Sequence, residues 1–417
     1  MKRCGRAGDW MIECAAAKCY HPYLTSQVAG IGGVIKEYPE DFQVEEIPSY
    51  LPCGFGEHCY LTIEKQGITT LEAISRIAKK LKVSEREIGY AGMKDAVGVT
   101  RQTISVQWLA PEKALSLELD GVKVVSALRH SNKLKLGHLK GNRFCVVIRG
   151  VSGAISELVP AILAILSTRG VPNYFGYQRY GAQGNSHLIG AAMLRRDWRE
   201  CVNQLIGDPS AVRDEEWSAA ICAYQQGDLG EALRFFPRHC RSERDVLQRL
   251  AARPGEYEKA FSVVHPRLKK LYLSAAQSFL FDQTVARRIE GIDEVMAGDL
   301  ACKHVNGACF LVEDAAAEQE RAAAFEISAS GPMFGCKMKR PEGPAWELEY
   351  EILERAGVDL PAFDMPGGLR MEGERRPLRV PAGDLSWCSA GDTVSVEFTL
   401  PKGAYATSLL REITKAF

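Results

Sequence analysis

The chain has 417 residues, of which 52 are Lys or Arg and 52 are Asp or Glu, so its formal net charge is zero. That balance argues against a nonspecific nucleic-acid coat, although segregated charge can still present a positive face to phosphates. Hydrophobic residues make up 46% and charged residues 25%, a soluble globular composition with no apolar run near the ~20 residues of a membrane span.

A length above that of one usual core predicts two domains. The first 28 residues carry Lys2, Arg3 and Arg6, but Asp9 and Glu13 interrupt any apolar stretch, so no secretory signal is expected and the cytoplasm is the default. The 13 cysteines are odd in number and lack framework or zinc-site spacing. Reduced, mostly structural thiols and no structural metal are therefore expected.

In chain order, strand signals come first. Phe42-Gln-Val-Glu and Tyr60-Leu-Thr-Ile alternate or nearly so. Residues 68–82 read as a helix, with Thr69 and Glu72 as a capping box and Leu71, Ile74, Ile77, Ala78 and Leu81 as its apolar face. Thr103 to Trp108 reads as a strand that places Ile104, Val106 and Trp108 on one side. The segment from Arg129 to Arg143 is basic and free of acids, and Arg370, Arg375, Arg376 and Arg379 form a second basic group. Arg143 to Ile148 is another strand signal, and about 154–167 is helical. From about 172 to 380 the pattern is helix-rich, as in Leu271 to Glu290, with Gly-Pro turns at Gly331 and Gly343. Val394 to Leu400 closes the pattern with Val394, Val396, Phe398 and Leu400 on one face. Interleaved strands and helices suggest an α+β core.

The most informative stretch is Gly89-Tyr-Ala-Gly-Met-Lys-Asp-Ala-Val-Gly-Val-Thr-Arg-Gln102, which sets one carboxylate, Asp95, in a glycine-rich turn between helix and strand. An acid at such a junction, with Gly92 and Gly98 allowing close backbone approach to a ligand, is a candidate nucleophile. On local features alone it reads as a solvated turn aspartate beside Lys94, because a single carboxylate is a weak signal.

The string resembles the signature of the TruD family of tRNA pseudouridine synthases, and the resemblance runs from about residue 31 to 412. It continues in Ile35-Lys-Glu-Tyr-Pro-Glu-Asp-Phe42, Lys133-Leu-Lys-Leu-Gly-His-Leu-Lys-Gly-Asn-Arg-Phe144 and Val171-Pro-Asn-Tyr-Phe-Gly-Tyr-Gln-Arg-Tyr-Gly181. Further blocks are Ser274-Ala-Ala-Gln-Ser-Phe-Leu-Phe281, Ser330-Gly-Pro-Met-Phe-Gly335 and Leu400-Pro-Lys-Gly-Ala-Tyr-Ala-Thr407. Several long motifs in the right order are far more specific than any one of them.

The resemblance implies a mixed-sheet pseudouridine-synthase core interrupted by a family-specific inserted α/β domain. The implied division is an N-terminal extension over 1–30, the core over 31–170 and 381–417, and the insert over 171–380. It implies uridine isomerisation at position 13 of tRNA, in the D-arm; that reaction is redox-neutral and needs no cofactor, and no protein partner is evident from the sequence. Asp95 maps onto the family's catalytic aspartate and Lys36 onto a lysine of its first block. An ionised nucleophile needs a cation against the pKa rise that burial causes; Lys94 and Arg411 are the other candidates. Phe42, Asn142 and Tyr405 match substrate-contacting positions, and Phe144 stands where related enzymes stack a tyrosine on the base. Without the family Phe144 is simply an inward strand residue. Arg179 suits either a contact facing the cleft or the packing of a tight junction. Ala96, Gly98 and Asp282 depart from the usual basic residue, alanine and asparagine, which puts RNA contacts in doubt more than catalysis. Two competing classes are a non-catalytic RNA-binding protein and an acid-dependent hydrolase. The latter needs a second carboxylate beside Asp95 or a metal cluster, and no spacing supplies either.

Overall fold

The computed structural model describes residues 21–416. They form two compact units: one joins Thr25–Val171 to the C-terminal piece from Val380, the other joins residues 21–24 to Pro172–Arg379. Strands before the break are β1 (Gly32–Ile35), β2 (Phe42–Pro48), β3 (His58–Gln66), β4 (Gly89–Tyr90), β5 (Val99–Gln107), β6 (Glu118–Leu119), β7 (Val122–His130) and β8 (Leu139–Val151). After them come β9 (Val171–Pro172), β10 (Leu300–Lys303), β11 (Cys309–Leu311), β12 (Ile327–Met333), β13 (Glu374–Pro377) and β14 (Arg379–Val380). The last two are β15 (Gly383–Ala390) and β16 (Thr393–Pro401).

The first unit is built on a 10-stranded sheet in the order β15-β16-β8-β2-β5-β3-β7-β6, with β1 on β8 and β4 on β5. β2 and β5 run parallel and their other neighbours antiparallel, so the sheet is mixed and the fold is α+β. β16 is far from β8 in sequence yet pairs with it continuously, from Thr393↔Arg149 to Pro401↔Gly141. β5 starts at Val99, earlier than its alternation suggests, because Gln43↔Val99 to Glu45↔Arg101 recruits the end of the glycine turn into the parallel ladder.

The helix Thr70–Leu81 starts where its signals place it: Thr69 accepts the Glu72 amide at 3.1 Å, and Lys82 ends it in the left-handed region. Ile74, Ile77 and Ala78 bury against Leu61, Ile63, Ile104 and Val106; each isoleucine contributes about 1.5–3 kcal/mol. Leu71 is 55% exposed, contrary to the expected face. The buried set centres on Thr70, Ala73, Ile74 and Ile77, and at 100° per residue Leu71 falls off that stripe. Trp108 also departs from expectation. β5 ends at Gln107, Trp108 adopts φ +58°, and its indole is 71% exposed rather than inward with Val106.

The second unit is mainly helical, around the long buried helix Pro266–Arg287, with a four-stranded sheet β11-β10-β12-β13. Pro266 at the first turn and the His265 cap, which accepts the Arg267 amide at 3.1 Å, explain why this helix starts before Leu271. Cys302 and Cys309 stand opposite each other on β10 and β11 and are joined by a disulfide, against the expectation of reduced thiols. The second basic group is largely internal. Arg375 is buried against Glu349, Arg379 is buried and donates to the Ala322 carbonyl, and exposed Arg370 pairs with Asp364.

Asp282 is buried in this unit and is not an RNA-facing charge. Its carboxylate accepts the Phe175 amide at 3.0 Å and the Tyr180 hydroxyl, and lies 2.8 Å from His21 Nε2. His21 in turn stacks on Tyr174, so residues ahead of the first strand pack into the core.

Candidate active site

Asp95 sits in an irregular loop between β4 and β5, and its side chain is 48% exposed. Lys36, just past β1, donates to Asp95 Oδ2 at 2.9 Å. A half-exposed pair of this kind contributes little to stability, so its worth is positional. Lys36 takes φ +62°, an uncommon conformation for a lysine that costs on the order of 1 kcal/mol. In that conformation its ammonium also lies 4.1 Å from the centroid of the Phe42 ring.

The adjacent cation points elsewhere. Lys94 Nζ pairs with Glu46 Oε2 at 2.9 Å, both side chains almost wholly buried, and Glu46 Oε1 accepts the Thr103 amide at 3.2 Å. Thr70 Oγ1 receives the Lys94 amide at 2.8 Å and donates to Gln102 Oε1 at 2.8 Å. Gln102 donates to the Gly92 carbonyl at 3.3 Å. Beneath the loop, buried Lys65 of β3 donates to the carbonyls of Asp95 at 2.6 Å, Ile68 at 2.8 Å and Lys94 at 3.4 Å. Glu46 and Lys65 were not singled out from the sequence. The available signal was a charged residue breaking an apolar alternation, as Lys65 does two positions after Ile63.

Gly98 closes the loop at φ +129°, and a Cβ there would lie 2.5 Å from the Phe42 carbonyl oxygen. A Cβ on that backbone would collide with the Phe42 carbonyl, which accounts for the glycine here. Phe42 and Phe144 are both buried, with ring centroids 6.2 Å apart, and Phe144 stacks on Phe398 at 5.1 Å. Phe144 therefore faces neighbouring rings rather than solvent. Asn142 lies two residues before it on β8, on the same face, and its buried Oδ1 has no hydrogen-bond partner among the described residues.

Lys36, Asp95 and Phe42 thus meet, with Phe144 and Asn142 continuing the same sheet face. Tyr405 is half-buried at the N-cap of the helix Ala406–Thr414. Arg411 is buried in that helix, 3.9 Å from Glu412 Oε1, while Glu412 Oε2 accepts from the Thr25 amide and hydroxyl at 2.9 and 2.7 Å. Arg179 belongs to the helical unit, where it donates to Ser278 Oγ at 3.0 Å and to Ser274 and lies over the Phe175 ring.

The site is thus a mixed sheet carrying a lysine-paired aspartate in a glycine-containing loop, with aromatic rings beside it. The family model for tRNA pseudouridine synthase D (TruD) matches residues 20–413. The tRNA pseudouridine synthase D of Geotalea daltonii is 60% identical over 396 residues, covering 95% of this chain and 100% of that protein. That of Thermus thermophilus is 37% identical over 398 residues, covering 95% of this chain and 92% of its own. A crystal structure of a Methanosarcina mazei protein described as a candidate tRNA pseudouridine synthase D matches with TM-score 0.82 at 26% identity, covering 94% of this chain and 96% of that one. The chain belongs to the TruD family.

Proposed function

We propose that this chain isomerises uridine to pseudouridine in tRNA, at position 13 of the D-arm, with Asp95 as nucleophile and without a cofactor. The Lys36–Asp95 contact at 2.9 Å carries the reading, because it supplies a cation against the carboxylate where the chain's family signature lies. In the reaction the N1–C1′ bond breaks, the base turns, and a C5–C1′ bond forms. C5 gives up a proton and N1 gains one, so the step consumes neither oxidant nor nucleotide. An ionised carboxylate is sufficient to start it, by attack on sugar or base or by removing a sugar proton.

A stacked base must be turned out of the RNA to reach such a pocket. The orphaned Asn142 Oδ1 suits the uracil N3–H, and Phe42 lies beside the lysine that meets the acid. Under this reading residues 31–170 and 381–417 form the catalytic core, and 171–380 form an insert in which Arg179 faces the RNA. Tyr405 and Arg411 are assigned to substrate contact, and tRNA as substrate places the activity in the cytoplasm. No helix among the described residues is long and apolar enough to cross a membrane.

Pseudouridine mapping tests the proposal, using RNA from a host lacking the gene and complemented with wild type or Asp95→Asn. One tRNA site restored by wild type alone is expected. Restoration by both removes Asp95 from the nucleophile role, and restoration by neither removes tRNA as the substrate.

A further inference from the structure

Lysine is almost never fully buried without a partner charge, because the ammonium loses its hydration. Lys65 is 1% exposed, and its donors go to main-chain carbonyls, those of Ile68, Lys94 and Asp95. Two of the three belong to the residue bearing the candidate nucleophile and the residue before it; the third leads into the helix Thr70–Leu81. The segment from Gly92 to Gly98 has no strand or helix pairing of its own, so these carbonyls need donors from elsewhere. An apolar side chain of similar length would fill the site at lower cost but would leave the loop unanchored.

We infer that Lys65 is a positioning residue for the isomerisation, stapling the Asp95 loop to β3 and holding a positive charge behind the carboxylate that Lys36 meets from the front. The inference rests on Asp95 being the nucleophile. Displacing a reacting group by about 1 Å can cost on the order of 10²-fold in rate, and a loop without regular pairing is free to move that far. Lys94 adds no net charge to the arrangement, since Glu46 neutralises it. Two charged groups bear on the Lys65 ammonium: the Asp95 carboxylate, which favours its charged form, and Lys94, which opposes it. Burial outweighs both in sum and brings Lys65 down to about 8. The anchor therefore loses its proton just above neutrality.

The test measures kcat by release of tritium from C5-labelled uridine in tRNA, with tRNA Kd and the thermal melt recorded alongside. Lys65→Met is expected to lower kcat by about 10²-fold while Kd changes by no more than a few-fold. Wild-type kcat is expected to fall with a midpoint near pH 8, and the residual activity of Lys65→Met to lack that limb. Turnover of Lys65→Met within a few-fold of wild type overturns the inference. If the variant does not fold, the wild-type profile decides: a plateau to about pH 10 overturns it and a limb near 8 supports it. Asp95→Asn run in parallel separates the two readings. Full turnover there removes the nucleophile and the Lys65 inference with it, whereas a dead Asp95→Asn beside a normal Lys65→Met overturns Lys65 alone.

Discussion

Lys36 Nζ stands 2.9 Å from Asp95 Oδ2 and 4.1 Å from the centroid of the Phe42 ring, so one ammonium touches both the candidate nucleophile and an aromatic wall. The sequence neighbour Lys94 is instead committed to Glu46. Asp95→Asn keeps the shape of the side chain and removes its charge. Turnover in the tritium-release assay should fall below detection, with tRNA affinity within a few-fold of wild type. Substantial residual isomerisation would take the nucleophile role away from Asp95.

Asn142 and Phe144 lie on one face of β8 and should respond oppositely. Asn142 Oδ1 is already without a partner among the described residues, so Asn142→Ala removes an unanswered polar group. Its melting temperature should hold or rise while kcat/KM falls by about 10-fold or more, the scale of one charge-free hydrogen bond to substrate lost with its orientation. Phe144→Ala empties a buried, ring-packed site and should cost about 3–5 kcal/mol in urea unfolding. A stability-neutral Phe144→Ala with lost activity would place that ring on the base instead.

Gly98→Ala tests whether the loop tolerates a side chain. The φ of +129° and the 2.5 Å approach to the Phe42 carbonyl leave no room for a Cβ. The backbone must shift where it enters β5, three residues after Asp95. A loss of stability of about 1–3 kcal/mol and a fall in kcat larger than any change in tRNA Kd are expected. Unchanged kcat would show that the loop can adopt a second backbone path at no cost to the site.

The glycine turn, the Thr69 N-cap and the alternation in β16 were legible because each is a local rule: φ > 0 at Gly98, the Thr69 hydroxyl on the Glu72 amide, and Val394, Val396, Phe398 and Leu400 buried on one face. The Glu72 half of the expected capping box is absent because Glu72 pairs with Arg76. What periodicity could not supply was partnership at a distance. Nothing local says that β16 pairs with β8, that Lys94 turns to Glu46, or that Lys65 lies under Asp95. The arginines of 375–379 read as a basic surface because charge counts ignore burial, and Glu349 and the Ala322 carbonyl draw them inward. Leu71 and Trp108 failed for a related reason: hydrophobicity names a candidate for burial, while the helix angle and the strand end decide it.

His187 sets an acid limit on the helical unit. It is fully buried, stacks on Phe279 at 4.4 Å and meets Tyr180 edge-on at 4.9 Å, and neither ring nitrogen has a hydrogen-bond partner among the described residues. Burial lowers its pKa to about 3, well below the ordinary value of 6.5. Between those values the unfolded chain binds a proton that the folded chain does not, so stability is highest above pH 6.5 and declines as pH falls. The slope approaches about 1.4 kcal/mol per pH unit for this one group, and the loss stops once the folded state also protonates. His187→Leu keeps a similar volume without the titration. Urea unfolding of the variant should match or exceed wild type at pH 7, and the gap should widen in favour of leucine at pH 5. Parallel acid dependence in the two proteins would mean that His187 finds a proton acceptor in the folded state.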